Sequence, residues 1–279
     1  MALIWGSSFL FTELSLRFLP FYGVAFWRTF LGGVAMFGLV FLLKLQLPKG
    51  TQWFHLWVAG VLMSAIPFSL FSFAQQSTTS SLAAIIGAAT PMFTLLAILT
   101  IYRTEKVTMI ATIGLVVGLI GVAITLGIWE GFGQNDPLAI GALVMATISY
   151  GIGGPYIRKF ITPMGLSGSS SAAAQVFTSA ITLLPFYLFT GPLITGAPSI
   201  ESILAILALG ILGSGFAYRL FHDVIKAAGS TVASTVTFTN PVLATIWGIL
   251  LLGEELHWYE PVGGVVVILG AWLAQHKKT

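Results

Sequence analysis

The sequence predicts an all-α integral membrane protein: ten transmembrane helices folded as two inverted five-helix repeats around a central cavity. Three observations predict it. Of 279 residues, 57% are hydrophobic and 8% charged, with a mean hydropathy of +0.96, whereas soluble domains carry about 25% charged residues. The apolar residues gather into long stretches, most of them near the ~20 residues that cross a bilayer. The chain also repeats itself at an offset of 150 residues, as in Pro91 and Pro241. So few charges cannot build a water-facing surface, which excludes a soluble enzyme, a disordered chain and a secreted disulfide scaffold.

The stretches run over 2–16, 21–43, 54–73, 80–101 and 108–126, then 137–157, 168–189, 199–220, 230–252 and 259–275. Each is continuously apolar, unlike the alternating ten-residue strands of a membrane barrel. The first is short for a span. It opens Met1-Ala2-Leu3-Ile4-Trp5, with no basic n-region and no small-residue cleavage site, and is expected to be the first helix of the mature protein rather than a signal peptide. Turn chemistry separates the stretches at Leu47-Pro48-Lys49-Gly50, Gln134-Asn135-Asp136-Pro137 and Thr190-Gly191-Pro192. The halves are expected at 1–126 and 137–279.

Charge tests the number of spans. With the N-terminus in the cytoplasm, Lys44, Lys49, Arg103, Lys106, Arg158, Lys159, Arg219, Lys226, Lys277 and Lys278 all fall inside. Arg17 falls outside, and Arg28 lies within the second span. The acidic Glu130, Asp136, Glu254 and Glu255 fall outside. Adding or removing one helix would scramble this positive-inside pattern, so both termini are expected in the cytoplasm. The net charge of +3 says little by itself, and the absence of cysteine removes any disulfide, thiolate nucleophile or Cys-ligated metal.

The repeat aligns residues 60–123 with 210–273 without gaps. Identities include Gly60/Gly210, Ser64/Ser214, Phe71/Phe221, Ser80/Ser230, Pro91/Pro241, Glu105/Glu255, Gly114/Gly264 and Val117/Val267. Five spans in each half force the second half to run in the opposite sense.

Pro91 and Pro241 sit near the middles of the fourth and ninth spans. Each removes a helical N–H and displaces the carbonyl four residues back, Gly87 and Thr237. In lipid the freed groups need other partners. Matched interruptions in two halves point to a transporter's midplane site, with the prolines as flex points and Thr90 and Asn240 adding polar groups at the same depth. A kink packed between helices is the plainer alternative. Uncharged polar residues inside spans (Ser7, Ser8, Ser64, Thr94, Tyr150, Gln175, Ser214, Tyr218, Thr237, Thr239) serve either as interhelical glue or as the lining of a water-accessible cavity. Such a cavity suits a zwitterionic or weakly polar solute.

Glu13 and Arg28 lie at similar depth on adjacent helices and are expected to form an ion pair at the outer mouth. His55, His222, His257 and His276 lie at loops or helix ends, so a proton relay has little support. Trp53, Trp57, Trp129, Trp258 and Trp272 fit an interfacial belt; Trp5 and Trp247 lie deeper and offer aromatic faces to a ligand. Gly114, Gly118 and Gly121, with Gly263, Gly264 and Gly270, form small-residue stripes for close packing. No metal cluster or catalytic template is visible, so no enzymatic activity and no cofactor are expected.

The opening Ala2-Leu3-Ile4-Trp5-Gly6-Ser7-Ser8-Phe9, the run from Asn240-Pro241 to Leu252-Gly253-Glu254-Glu255-Leu256, and the closing Gly263-Gly264 through Gly270 together resemble the EamA family of the drug/metabolite transporter superfamily. Tyr102-Arg103-Thr104-Glu105 departs from the LGEE form in the first half. The resemblance implies a basket with a cavity lined by the first, third, fourth, sixth, eighth and ninth helices. It implies export of small metabolites, often amino acids and aromatic ones among them, from the bacterial cytoplasm across the inner membrane by alternating access. The cavity residues it implies are Trp5, Ser8, Ser64, Thr90, Tyr150, Ser214, Tyr218 and Asn240, with Gly253 to Glu255 closing the ninth helix. The expected partners are a small-molecule substrate and the lipid bilayer, with no nucleic acid. Sugars, nucleotide precursors and drugs are the rival substrates, and a membrane-embedded non-transport protein the rival class. Oligomeric state is not legible.

Overall fold

A computed structural model of the chain describes residues 1–102, 109–125, 129, 136–255 and 257–275, and among the described residues it contains helices and no strands. Arg103, Thr104, Glu105, Lys106, Glu130, Gln134, Asn135, Leu256, His276, Lys277 and Lys278, all singled out above, lie outside the described residues.

In chain order, α1 comprises two short helices, Ala2–Gly6 and Ser8–Leu16. Then come α2 (Phe21–Leu42), α3 (Gln52–Ala74) and α4 (Ser80–Tyr102), and α5 (Met109–Thr125). The remainder are α6 (Pro137–Met164), α7 (Gly168–Phe189), α8 (Ile200–Ala228), α9 (Ser230–Leu252) and α10 (Tyr259–Gln275). Seven of them (α2, α3, α4, α6, α7, α8 and α9) are long and apolar enough to cross a membrane, while α1, α5 and α10 hold shorter apolar helices.

Local chemistry sets the starts. The Thr79 hydroxyl accepts from Leu82 N–H at 3.1 Å to open α4. Asp136 accepts from Leu138 N–H at 2.9 Å ahead of Pro137, whose missing N–H costs nothing in a first turn. Ser167 opens α7, and Ser199 with Ser202 forms a reciprocal capping box on α8. Two boundaries differ from expectation. The stretch closing at residue 157 runs on through a wide turn, Ile157–Ile161, to Met164, and the eighth is longer too. The apolar stretch closing at residue 220 continues as helix to Ala228, because Phe221 and Ile225 keep one face buried while Arg219, Asp223 and Lys226 take the other. Gly229, at φ +91°, then reverses the chain directly into α9, a conformation strained for any side-chain-bearing residue.

Several helices change pitch inside the bundle. Wide π-helical turns occupy Val61–Ala65 of α3 and Leu209–Phe216 of α8, and also Ile98–Tyr102 of α4 and Gly248–Leu252 of α9. The first two overlap at the 150-residue offset, and the second two coincide with it. α4 is broken at Ala88 and Ala89, between Ser80–Gly87 and Thr90–Ala97. α9 tightens to a 3₁₀ stretch, Thr235–Thr239, immediately before Asn240-Pro241. These are the positions where the prolines predict interruption.

Helices at corresponding positions of the two halves pack on one another: α2 on α7, α4 on α9, and α5 on α10. Small residues permit the closest crossings. A Cβ on Gly32 of α2 would stand 2.6 Å from the Gly210 carbonyl of α8, and one on Gly121 of α5 would stand 2.5 Å from the Val267 nitrogen of α10.

Candidate functional site

A cavity opens between α1, α2, α3, α4, α6, α8 and α9, with about 790 Å³ of space unfilled by protein, its opening included. Six of the eight expected cavity residues line it: Trp5, Ser8, Thr90, Tyr150, Tyr218 and Asn240. Ser64 and Ser214 do not reach its wall and are fully buried behind it. α2 contributes Arg28, so the lining extends beyond the expected six helices.

The 150-residue register reappears in the wall. Phe68 and Tyr218, Phe71 and Phe221, Gly87 and Thr237, and Thr90 and Asn240 are register-matched pairs, and both members of each line the cavity. Sequence reasoning passed over Phe9, Thr12, Phe68, Phe71 and Gln75. The identity Phe71/Phe221 carried a usable signal for one of them; Phe9, Thr12 and Phe68 lie in apolar runs that look alike from outside, and Gln75 lies just past the third run, among Gln76, Ser77 and Thr78.

The wide turns explain much of the polar wall. A π-turn leaves carbonyls without their helical donors, and in a membrane those groups must be satisfied within the protein. Side chains from other helices do so. Ser149 Oγ donates to the Leu62 carbonyl at 2.7 Å, and the Tyr218 hydroxyl donates to that of Met63. Trp5 Nε1 donates to the Gly213 carbonyl at 2.9 Å. Two residues expected to present themselves to a solute, Trp5 and Tyr218, thus have their polar atoms committed to backbone and offer the cavity their rings.

The proline breaks resolve similarly. The Thr90 hydroxyl donates to the Gly87 carbonyl at 2.6 Å, capping the group that Pro91 displaces. The Thr237 carbonyl takes the backbone N–H of Asn240. This leaves Asn240 Oδ1 buried on the cavity wall without a hydrogen-bond donor; Gln75 Oε1 is in the same condition, while its Nε2 donates to the Phe9 carbonyl (3.0 Å) and Ser80 Oγ (3.1 Å).

Aromatic rings form most of the remaining surface. Trp5 sits edge-on to Tyr218 at 5.6 Å between centroids and tilts against Phe221 at 5.3 Å; Phe71 meets Phe9 at 5.7 Å and Tyr150 at 6.0 Å. Trp247, the other deep tryptophan, does not line the cavity; its Nε1 donates to Ser7 Oγ at 3.0 Å, tying α9 to α1.

The expected Glu13–Arg28 pair is replaced by other partners. Arg28 Nε donates to Ser214 Oγ at 3.2 Å, and its guanidinium lies 3.5 Å over the Phe68 ring. The charged neighbours acting on Glu13 are Glu254 and Arg17. Arg28 projects from α2 toward α3 and α8, away from α1's outer end.

One end of the assembly is tied by Glu254. After Gly253 ends α9 at φ +69°, the Glu254 carboxylate accepts from the Ser80 N–H (2.7 Å), the Ser81 N–H (3.2 Å) and the Ser81 hydroxyl (2.7 Å) at the start of α4. An anion at a helix N-terminus is favoured by the unpaired N–H groups and the helix dipole. The Gly-Glu segment therefore closes α9 and also clasps it to α4.

Comparisons with known proteins agree with this architecture. The EamA-like transporter family matches residues 1–127 and again 137–274. The chain is 30% identical to an uncharacterized transporter of Clostridium kluyveri over 82% of this chain and 73% of that one. It is 25% identical to the inner membrane transporter YedA of Escherichia coli K12 over 95% and 85%, and 24% identical to protein PecM of Dickeya dadantii over 85% and 79%. A crystal structure at 16% identity superposes with a TM-score of 0.71, covering 98% of this chain and 93% of the other, a likeness of fold.

Proposed function

The chain belongs to the EamA-like transporter family, and from that premise we propose that it is a secondary transporter of the bacterial inner membrane. It exports small metabolites, amino acids foremost and aromatic ones among them, by alternating access. In this reading α1 to α10 all span the bilayer as two inverted halves, 1–126 and 137–279, with both termini in the cytoplasm.

The observation that carries the proposal is the paired wall: one cavity built from register-matched residues of both halves, beside helices broken at matched prolines. A site at the interface of two related halves, formed by discontinuous helices, can be exposed to either side as the halves rock. The packing of α2 on α7, α4 on α9 and α5 on α10 supports a pseudo-two-fold relation. Aromatic walls with scattered hydroxyls and amides favour a solute with an apolar body and a compact polar head over a sugar, which needs hydrogen-bonding partners all round.

The test is counterflow of a radiolabelled amino-acid panel in liposomes at matched internal and external pH. Saturable exchange that is lost in Asn240→Leu and Thr90→Val supports both transport and the cavity. Saturable exchange that survives both substitutions keeps transport and discards this cavity as its site. No exchange of any amino acid by folded protein overturns the amino-acid reading.

A further inference from the structure

Arg28 is the sole formally charged residue among the described residues that line the cavity. It is 5% exposed, in the second helix of a membrane bundle. A guanidinium carries five N–H donors, and among the described residues Arg28 commits one of them, Nε to Ser214. Its plane rests on Phe68, which fixes orientation and offsets the charge only in part. Gly213, in the wide turn of α8, leaves room for it. A Cβ built there would have Ser8 Oγ at 3.2 Å, and the Ala208 carbonyl and Arg28 Nη2 each at 3.8 Å, as neighbours, so the Nη2 end lies against this glycine.

A buried cation with unspent donors and no carboxylate against it is a receptor awaiting an anion. The planar fork matches a carboxylate in two parallel hydrogen bonds. Asn240 Oδ1 and Gln75 Oε1, the buried acceptors on the same wall that lack a donor, complement an ammonium group. The rings of Trp5, Phe9, Phe71 and Phe221 complement an aromatic or large apolar side chain.

We propose that Arg28 binds the carboxylate of the transported solute and makes a carboxylate obligatory for recognition, the substrate class being zwitterions with aromatic or large apolar side chains. This rests on the cavity being the substrate site.

Binding is measured by thermal unfolding of the purified full chain with L-phenylalanine, with 3-phenylpropionate, which lacks the amine, and with phenethylamine, which lacks the carboxylate. Phenylalanine and, more weakly, phenylpropionate are expected to raise the unfolding temperature, and phenethylamine is not. Arg28→Gln is expected to weaken binding of both acids by ~10-fold or more; Arg28→Lys, which keeps the charge without the fork, falls between. Stabilisation by phenethylamine equal to that by phenylalanine, acid binding unchanged in Arg28→Gln, or no acid binding by folded wild type would each overturn the proposal. Should Arg28→Gln fail to fold, the wild-type comparison of acid with amine decides alone. Acid binding that is lost in Arg28→Gln but comes without counterflow in liposomes sinks the transport reading, and with it the words 'transported solute', while Arg28 stands as the carboxylate site of the cavity.

Discussion

Replacing Glu254 by alanine removes the acceptor for the backbone N–H groups of Ser80 and Ser81 and for the Ser81 hydroxyl. Hydrogen bonds to a charged group contribute about 1.5–3 kcal/mol each in mutational series. Bonds sharing one carboxylate do not add, and Glu254 is half-buried, so water screens part of the gain. The set therefore holds α9 to α4 by ~2–3 kcal/mol. If the clasp exists in only one arrangement of the halves, its loss shifts the population toward the other by ~30- to 150-fold at 1.4 kcal/mol per tenfold. The chain has no cysteine, so one introduced at Thr12, a buried residue of the cavity wall, reports alone. Its labelling by a membrane-impermeant maleimide is expected to accelerate in Glu254→Ala, in proportion to the open fraction. Glu254→Gln, which keeps an acceptor without the charge, falls between. Labelling rates within twofold of each other, in variants of equal gel-filtration behaviour, would refute the clasp.

Pro91→Ala and Pro241→Ala each return an N–H to the first turn of the helix that follows the break and remove the ring that bars a continuous helix through it. They straighten α4 or α9 and are expected to slow turnover in counterflow while solute binding survives; wild-type turnover in both would remove the flex-point role. Gly121→Leu sets a side chain against the Val267 backbone, which cannot yield as a side-chain tip would. It is expected to cost ~3 kcal/mol or more and lower the unfolding temperature. Gly38→Ala meets nothing within 4 Å and is expected to be neutral or stabilising by up to ~1 kcal/mol through helix propensity; equal behaviour of the two variants would contradict the close α5–α10 crossing.

Particular elements separate what was legible in the sequence from what was not. The apolar stretches and both proline interruptions were legible, because each arises within its own stretch of chain: hydrophobicity is read by the lipid, and proline lacks its N–H whatever surrounds it. The 150-residue register was legible for the same reason, and it marked positions whose side chains meet only after folding. The full length of α8 was missed because its last turns are amphipathic rather than apolar, held by the burial of Phe221 and Ile225. The π-turns were missed because no residue type demands them.

Membership of a membrane bundle, the repeat and the broken midpoints were thus determined by the sequence itself. Tertiary structure decided which polar group meets which. Glu13 stands near Arg28 in the chain, yet Arg28 donates its Nε hydrogen bond to Ser214, 186 positions away. Ser64 and Ser214 read like Ser8 in sequence, yet end behind the wall that Ser8 lines. The physical reason is rotational. A helix that is apolar on all sides carries no amphipathic stripe to say which face turns inward. Its rotation is set by close crossings such as Gly32 on Gly210 and by side chains that satisfy carbonyls of distant wide turns, as Trp5 does at Gly213. Those constraints exist only once the helices are packed together.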